Sequence, residues 1–447
     1  MTSTSTEPSK ASSGVGKVVA SAFAGTAMEW YDYFVYGTAS ALVFGKLFFA
    51  EGDPAVATLL SLLTFAAGFV ARPLGALIFG QIGDRLGRRT ATVGSIFLMG
   101  IATGIIGLLP GYATAGILAP LCLVLLRLCQ GVSAGGEWSG AMTLVLEHTP
   151  KAKQGFMSAI PQMGSPAATL LSTGVLSIVS LMPDDLFFSW GWRIPFLLAF
   201  PFLGIGLYLR SRVEESPEFK KLQANEEIVK VPVASAIRHT GGRMILGGMA
   251  ALLGGSGFFM ITTFGVGYGV DQIGYERQEM LNATLWGALA QFIVCLIGGR
   301  LADRFGAWKI VAAGGIITMI LAFPIFALID SGNVGLMTLG IIMGMASLTI
   351  PYGPIGAMMS GLFPAKYRYS AMAVSYNVFG LVGGFLPVLS QTLLIGADMK
   401  SWGVALLLIA VALATTVGAI GAGSSIVRRR RAAEDAEERE LELAKSV

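Results

Sequence analysis

Charged residues are scarce in this sequence. Asp, Glu, Lys and Arg make up 13% of its 447 residues, against about 25% in an ordinary soluble domain. Hydrophobic residues make up 54%, so the composition excludes a soluble globular protein. Glycine contributes 59 residues without a collagen period, which is typical of helices that pack closely inside a bilayer.

Cysteine and histidine are also rare, and this excludes several kinds of site. Three cysteines cannot supply a disulfide framework, and two histidines offer little capacity for a metal site. A net charge of +4 is too small to suggest nucleic acid as a partner. We therefore expect no metal, no cofactor and no nucleic-acid partner.

Two serine-containing motifs match catalytic signatures, but neither has a base nearby. Residues 131–135 fit the G-x-S-x-G pattern of hydrolases, and residues 254–257 resemble an intramembrane serine protease signature. A serine nucleophile needs an adjacent base, and the two histidines, His148 and His239, fall in predicted loops. We therefore expect that the protein is not an enzyme.

Twelve continuous apolar stretches have the length of a transmembrane helix, which is about 20 residues. They predict an all-α integral membrane protein. The predicted spans are 18–44, 56–80, 91–109, 117–146, 156–182, 194–210, 243–268, 281–299, 310–329, 334–362, 371–396 and 402–427.

The basic residues predict the orientation of these spans. Of the 31 lysines and arginines, four lie in the odd-to-even connections, two lie within spans, and the rest lie in the termini and even-to-odd connections. The positive-inside rule then places both termini in the cytoplasm. The polar first 16 residues predict no cleavable signal peptide. The predicted organisation is a cytoplasmic segment 1–17, a first six-helix bundle 18–210, a cytoplasmic linker 211–242, a second bundle 243–427 and a cytoplasmic tail 428–447.

An internal repeat relates the two halves. The pattern G-x-x-x-D-R-x-G occurs between spans 2 and 3 and again between spans 8 and 9. Its Asp can accept hydrogen bonds from a facing helix N-terminus, and its Arg residues can hold the loop at the anionic leaflet. Duplicated halves around a midplane site are the layout of many secondary transporters. The motif residues are Gly80, Asp84, Arg85, Gly87 and Arg88 in the first copy, and Gly299, Asp303, Arg304 and Gly306 in the second.

Further motifs give a narrower resemblance over residues 17–427. They are Glu29-Trp30-Tyr31-Asp32-Tyr33, Arg72-Pro73-Leu74-Gly75, Arg127 with Gln130-Gly131, Gly135-Gly136-Glu137-Trp138, Trp190-Gly191-Trp192-Arg193-Ile194-Pro195-Phe196 and Glu215-Ser216-Pro217-Glu218-Phe219. With these residues the chain resembles the major facilitator superfamily. Within it, the chain is similar to the metabolite:proton symporters, which include carriers of shikimate, 2-oxoglutarate and proline/betaine. The resemblance implies two six-helix bundles that work by alternating access, with the Asp84 and Asp303 loops as cytoplasmic latches.

Five ionisable residues lie deep in the predicted spans, and all are in the first half. A charge at the bilayer centre costs about 2.5–3.5 kcal/mol on insertion scales, so each must face the bundle interior and find a partner. Glu29 and Asp32 share one face of span 1 with Tyr33 and Tyr36, at i, i+3, i+4 and i+7. The five residues are Glu29, Asp32, Arg72, Arg127 and Glu137.

These charges form either a purely structural network or a proton-coupled site. In the second interpretation Arg127 keeps Asp32 ionised until an anionic substrate competes for the guanidinium, and Asp32 then takes up a proton. Arginine suits this role because its fork grips a carboxylate bidentately. Arg72 is the second candidate for the anion, or it neutralises Glu137 or Glu29. The candidates for proton coupling are Asp32, Glu29 and Glu137, and those for substrate binding are Arg127, Arg72, Tyr33, Tyr36, Gln130, Trp138, Tyr376 and Asn377.

The sequence thus predicts a monomeric symporter in the plasma membrane that imports a small organic acid, shikimate-like or dicarboxylic, together with protons. Tyr376 and Asn377 in span 11 are the leading candidates for substrate binding from the second half, although a polar residue in a helix bundle often only forms hydrogen bonds between helices. A proton-coupled carrier of proline or betaine is the alternative within transport. A transporter-like receptor is the alternative from another class, but the tail is too short for a signalling domain.

Overall fold

Within its described residues, the protein is built from helices alone. The computed structural model describes residues 10–49, 53–86, 88–135, 137–147, 149–211, 233–364, 368–424 and 427. Most of the predicted linker and the whole of the tail 428–447 lie outside the described residues. No strand occurs in these ranges, as the continuous apolar runs predicted.

Twelve membrane helices, α1 to α12, follow the order of the predicted spans. In the first half they are α1 Lys10–Ala39 with extensions Ser40–Phe44 and Gly45–Phe48, α2 Pro54–Leu86, α3 Arg88–Ile106, α4 Leu118–Ser133 with Glu137–Glu147, α5 Gln154–Gln162 with Gly164–Val179, and α6 Ile194–Leu197 with Ala199–Ser211. In the second half they are α7 Val233–Leu252 with its continuation to Ile273, α8 Arg277–Phe305, α9 Ala307–Ile329, α10 Val334–Tyr352 with Ile355–Leu362, α11 Arg368–Gly384 with Leu386–Gly396, and α12 Trp402–Ala422.

Nine of the described helical segments are both long and apolar enough to cross a membrane by themselves. The segments outside this set are α1, α3 and α5. The apolar part of α3 is short, Val93–Ile106. Along α5 the polar residues Ser158, Gln162, Ser165 and Thr169 are buried, so its low hydropathy reflects a helix that faces protein rather than lipid.

Several helices break at prolines, which remove a backbone donor and clash with the preceding turn. The two parts of α5 meet at Met163. Pro166 has no N–H to donate to the carbonyl of Gln162, which is four residues earlier. The two parts of α10 meet at Gly353 and Pro354. Both parts of α5 contact α8, and the second part of α10 contacts the first part of α5, so both breaks lie near the interface between the halves.

The halves pack against each other chiefly through α5 on α8 and α2 on α11. Within the first half, α2 and α4 approach so closely that a Cβ atom on Gly131 would lie 1.9 Å from the carbonyl oxygen of Gly68. Between the halves, a Cβ atom on Gly155 of α5 would lie 2.7 Å from the carbonyl oxygen of Gly299 on α8. Glycine at these positions is therefore what permits the two helix pairs to touch.

Candidate functional site

Arg72 and Glu29 form a buried ion pair inside the first bundle. The Nη2 atom of Arg72 donates to Oε1 of Glu29 at 2.9 Å, and the two side chains are 3% and 7% exposed. Nε of Arg72 donates to the hydroxyl of Tyr33 at 2.9 Å. The guanidinium also lies over the rings of Tyr33 and Phe69, at 4.7 and 5.0 Å. Arg72 was predicted to neutralise Glu137 or Glu29, and in the structure it pairs with Glu29.

Arg127 is fully buried among aromatic rings. Its guanidinium lies 4.6 Å from the ring centroid of Tyr33 and 4.4 Å from that of Tyr36. Nε donates to the carbonyl of Phe65 at 3.2 Å, and Nη1 donates to Oε1 of Gln130 at 3.0 Å. The remaining nitrogen, Nη2, is buried and has no hydrogen-bond partner among the described residues. A buried cationic donor without an acceptor is costly, and Arg127 lines none of the cavities described below, so a ligand carboxylate could reach this atom only after a rearrangement of the site.

Asp32 is buried near Arg127 but is not ion-paired with it. No salt bridge joins the two side chains in the described part of the chain, although the charges of Arg127 and Glu29 act on Asp32 and Thr103 lies beside it. The direct pairing that the sequence suggested is therefore not present in this structure. The Phe65 carbonyl, Gln130 and two tyrosine rings hold the guanidinium in its position away from Asp32 and leave only Nη2 without a partner.

A small central pocket lies between the two halves. Its volume is about 10 Å³, which is room for no more than about one water molecule. Trp138 of α4 stacks on Tyr376 of α11, with ring centroids 4.0 Å apart and planes at 10°. An organic substrate therefore cannot enter until this contact opens. The pocket is lined by Glu29, Arg72, Ala134, Gly135, Trp138, Ser139, Ala373, Tyr376 and Asn377.

Hydrogen bonds reinforce the closure around the central pocket. Nδ2 of Asn377 donates to the carbonyl of Gly135 at 2.8 Å, which ties α11 to the break in α4. Nε1 of Trp138 donates to Oε1 of Gln162 at 2.9 Å, and Nε2 of Gln162 donates to the carbonyl of Tyr352 at 3.3 Å. The predicted residues Trp138, Tyr376 and Asn377 thus meet in one contact between the halves.

The sequence analysis did not single out Gln162 and Thr103. Gln162 bridges α4 and α10, and Thr103 accepts from Nε2 of Gln130 at 2.7 Å beside Asp32. A signal for Gln162 was present, because it is an amide within an apolar span between two prolines. Thr103 carried no such signal, since a threonine is common in membrane helices.

The second copy of the loop motif joins the two halves. The carboxylate of Asp303, at the end of α8, accepts hydrogen bonds from the backbone N–H groups of Gly155 at 2.7 Å and Phe156 at 3.1 Å, in the first turn of α5. Arg304 is exposed and lies over the ring of its neighbour Phe305 at 5.3 Å. In the first copy of the motif, Gly87 and the side chains of Asp84, Arg85 and Arg88 lie outside the described part of the structure, as does the side chain of Glu137.

The opposite ends of α5 and α8 are also joined. Nη2 of Arg277, at the start of α8, donates to the carboxylate of Asp184 at 2.6 Å. Ser180 of α5 donates to Oε1 of Gln278 at 2.6 Å. With contacts at both ends of this helix pair, the described parts of the halves touch on both sides of the central pocket.

Two cavities are larger than the central pocket. One, of about 410 Å³, lies between the halves at the end of α1 that is distant from the chain terminus, and it is lined in part by Lys46, Asp271 and Gln391. The other, of about 460 Å³, lies within the first bundle, and Glu29 and Asp32 form part of its wall. We call the second one the side cavity.

Glu29 and Arg72 line a pocket between two helical bundles that contact each other on both sides of it, which is an arrangement typical of secondary transporters. The family model of the Major Facilitator Superfamily matches residues 22–387. The chain belongs to this family of membrane transporters.

Several curated proteins are similar to the chain over most of its length. It is 38% identical to the inner membrane metabolite transport protein YhjE of Escherichia coli over 82% of this chain and 85% of that protein. It is 38% identical to the shikimate transporter of Escherichia coli over 83% and 86% of the two chains. It is 36% identical to the proline/betaine transporter of Salmonella typhimurium over 84% and 77%.

Solved structures agree on the fold. The proton:xylose symporter XylE bound to 6-bromo-6-deoxy-D-glucose superposes with a TM-score of 0.70 at 18% identity, covering 92% of this chain and 95% of that one. The partially occluded inward open form of XylE from E. coli gives 0.68 at 16% identity, covering 91% and 97%. The twelve-helix arrangement predicted from the sequence is therefore confirmed.

Proposed function

We propose that the protein is a proton-coupled symporter that imports a small organic acid by alternating access. The observation that carries this proposal is the buried, partnerless Nη2 atom of Arg127. A substrate carboxylate that reached it would complete the hydrogen bonding of the guanidinium, and Arg127 would supply the planar donor geometry that carboxylates fit.

Asp32 is the proposed proton acceptor in this site. It is buried, and the positive charge of Arg127 acts on it without an ion pair that would have to break first. When an anionic substrate neutralises Arg127, proton uptake by Asp32 becomes more favourable, because the nearby cation no longer stabilises the carboxylate. Substrate binding and protonation of Asp32 are then linked, because both depend on the electrostatic field of Arg127.

The central contact between Trp138 and Tyr376 is the proposed inner gate. Its opening would join the pocket beside Arg72 to one side of the membrane, while Asp303 and α5 hold the halves together in the closed state. The glycines of the first motif and the residues Asp84, Arg85 and Arg88 are proposed to act in the same way in the first half. By the positive-inside rule, this side is the cytoplasm. The similarity to an inner membrane transport protein of Escherichia coli supports the inner membrane as the location. We expect a monomer to suffice.

A carrier of zwitterionic osmolytes is the second candidate. It is favoured by the 36% identity to proline/betaine transporters, which is close to the identity with the shikimate transporter. Arg127 would then bind the carboxylate of the zwitterion, and Glu29 or an aromatic ring would face its cationic end.

Uptake by purified protein in proteoliposomes tests both candidates. Labelled shikimate, dicarboxylates, proline and betaine would be offered with and without an imposed pH gradient, acid outside. An organic acid that accumulates only with the gradient supports the proposal. Accumulation of betaine or proline that unlabelled shikimate does not inhibit would support the alternative instead. Uptake that is insensitive to the gradient for every solute would contradict proton coupling.

A further inference from the structure

Asp32 borders the side cavity, which differs in its lining from the central pocket. Asp32 lines the side cavity, but it lines neither the central pocket nor the cavity at the far end of α1. The residue that the proposed mechanism protonates therefore borders a space inside the first bundle, and it does not border the described cavities between the halves.

The cavity extends towards one side of the membrane. Along α1 its wall runs from Asp32 back to Ala20, twelve residues nearer the chain terminus, which is about 18 Å of helix. Ala20 is exposed at that end, and Gly206 of α6 also lines the wall. The cavity thus runs from the depth of Asp32 towards the side on which α1 begins.

Small residues create this space. Alanine and glycine form much of the wall on α1, α5 and α6, including Ala24, Ala167 and Ala199. The volume of about 460 Å³ is far larger than one water molecule requires. Polar groups at its inner end, from Asp32, Glu29 and Ser133, supply the partners that ordered water needs.

Glu29 connects the two regions. It lines both the side cavity and the central pocket, and its carboxylate accepts the hydrogen bond from Arg72. The ionisable groups around Asp32 are Glu29 and Tyr31 on α1 and Arg127 on α4. Of the described cavity-lining residues on α3, α5 and α6, none is ionisable.

From this arrangement we propose that Asp32 exchanges its proton with the side on which the chain begins through the side cavity, while substrate passes between the two halves. The inference rests on the proposed function, since it assumes that Asp32 carries the coupled proton. The step is a proton transfer between water and the Asp32 carboxylate, and no other bond forms or breaks.

Filling the cavity tests the route. Ala24→Leu should reduce pH-gradient-driven accumulation at least tenfold, yet leave substrate exchange at equal pH within about twofold of wild type, because exchange needs no net proton movement. The matched control is Ala327→Leu, which places the same side chain at an exposed position on α9. Proton flux would be followed with a pH-sensitive dye inside the vesicles. Full accumulation by Ala24→Leu, or an equal loss of accumulation and exchange, would overturn the route.

A milder variant keeps the test informative if Ala24→Leu fails to fold. Ala24→Cys would be made with Cys122, Cys129 and Cys295 replaced by alanine. A water-soluble methanethiosulfonate reagent should modify it from the side of the chain termini and then block proton flux. If the reagent does not modify the cysteine, the proposed route is wrong but the proposed function still stands. If substrate drives no proton flux in the wild-type protein, the proposed function is wrong as well.

Discussion

Asp303 Oδ1 lies 2.7 Å from the backbone nitrogen of Gly155, so the end of α8 caps the first turn of α5 in the other half of the molecule. A carboxylate at a helix N-terminus satisfies free N–H groups and interacts favourably with the helix dipole. The contact has to break if the halves separate on this side.

Removal of this contact should favour the state that is open on that side. Asp303→Ala should raise the population of the open state about tenfold, since a hydrogen bond to a charged group contributes about 1.5 kcal/mol at the low end of its range and about 1.4 kcal/mol is a factor of ten. Spin labels at Lys153→Cys and Lys309→Cys would report the separation of the halves. Arg277→Ala, which removes the contact at the opposite ends of the same helices, is the control and should not lengthen this distance.

Replacement of Arg127 by lysine should abolish high-affinity binding. An ammonium group cannot reproduce the planar set of contacts to Phe65, Gln130 and a ligand carboxylate. We expect the substrate concentration for half-maximal uptake to rise at least tenfold. Arg193→Lys is the matched control, because Arg193 also donates to backbone carbonyls, those of Gly107 and Leu109, but lies outside the site. Equal affinity in wild type and Arg127→Lys would remove Arg127 from the binding site.

Asp32→Asn should separate exchange from accumulation. The amide is nearly isosteric with the carboxyl group but cannot carry the coupled proton. We expect substrate exchange between equal concentrations to persist and gradient-driven accumulation to fall to the level of empty vesicles. If the variant concentrates substrate as wild type does, the proton is carried elsewhere, and Glu29 becomes the next residue to change.

The buried pair of Arg72 and Glu29 should behave as a unit in stability. Arg72→Leu leaves the Glu29 carboxylate without its guanidinium partner in a buried site, at a cost of about 3–5 kcal/mol. The double variant Arg72→Leu with Glu29→Leu should recover most of this loss, because no unpaired charge remains. Thermal unfolding in detergent would measure both variants. A double variant that is less stable than the single one would show that Glu29 has another essential partner.

Close helix packing predicts unequal effects for two helical glycines. Gly131→Ala should sharply lower the yield of folded protein, because its Cβ atom would lie 1.9 Å from the backbone oxygen of Gly68. Gly241→Ala on α7 should be neutral or slightly stabilising, since its Cβ atom meets nothing within 4 Å and alanine favours helix. Size-exclusion profiles of the two variants would compare them. Similar profiles would contradict the close packing of α2 on α4.

The amino-acid sequence by itself determined that the chain is a bundle of membrane helices and identified the ionisable residues that must lie inside it. Length, apolarity and the cost of burying charge are local properties, so they can be read without coordinates. The repeated loop motif likewise predicted that an Asp would meet a helix N-terminus. Which helix it meets, α5 for Asp303, depends on packing between halves.

Only the tertiary structure decided which cavity each buried carboxylate of α1 lines. Glu29 and Asp32 are three residues apart, so their directions differ by about 60° around the helix axis. That angle is small enough to place both on one face in a sequence pattern. It is also large enough for Glu29 to reach Arg72 at the central pocket while Asp32 lines only the side cavity. The positions of α2, α4 and α5 around α1 fix this division, and they follow from helix contacts that no single stretch of sequence contains.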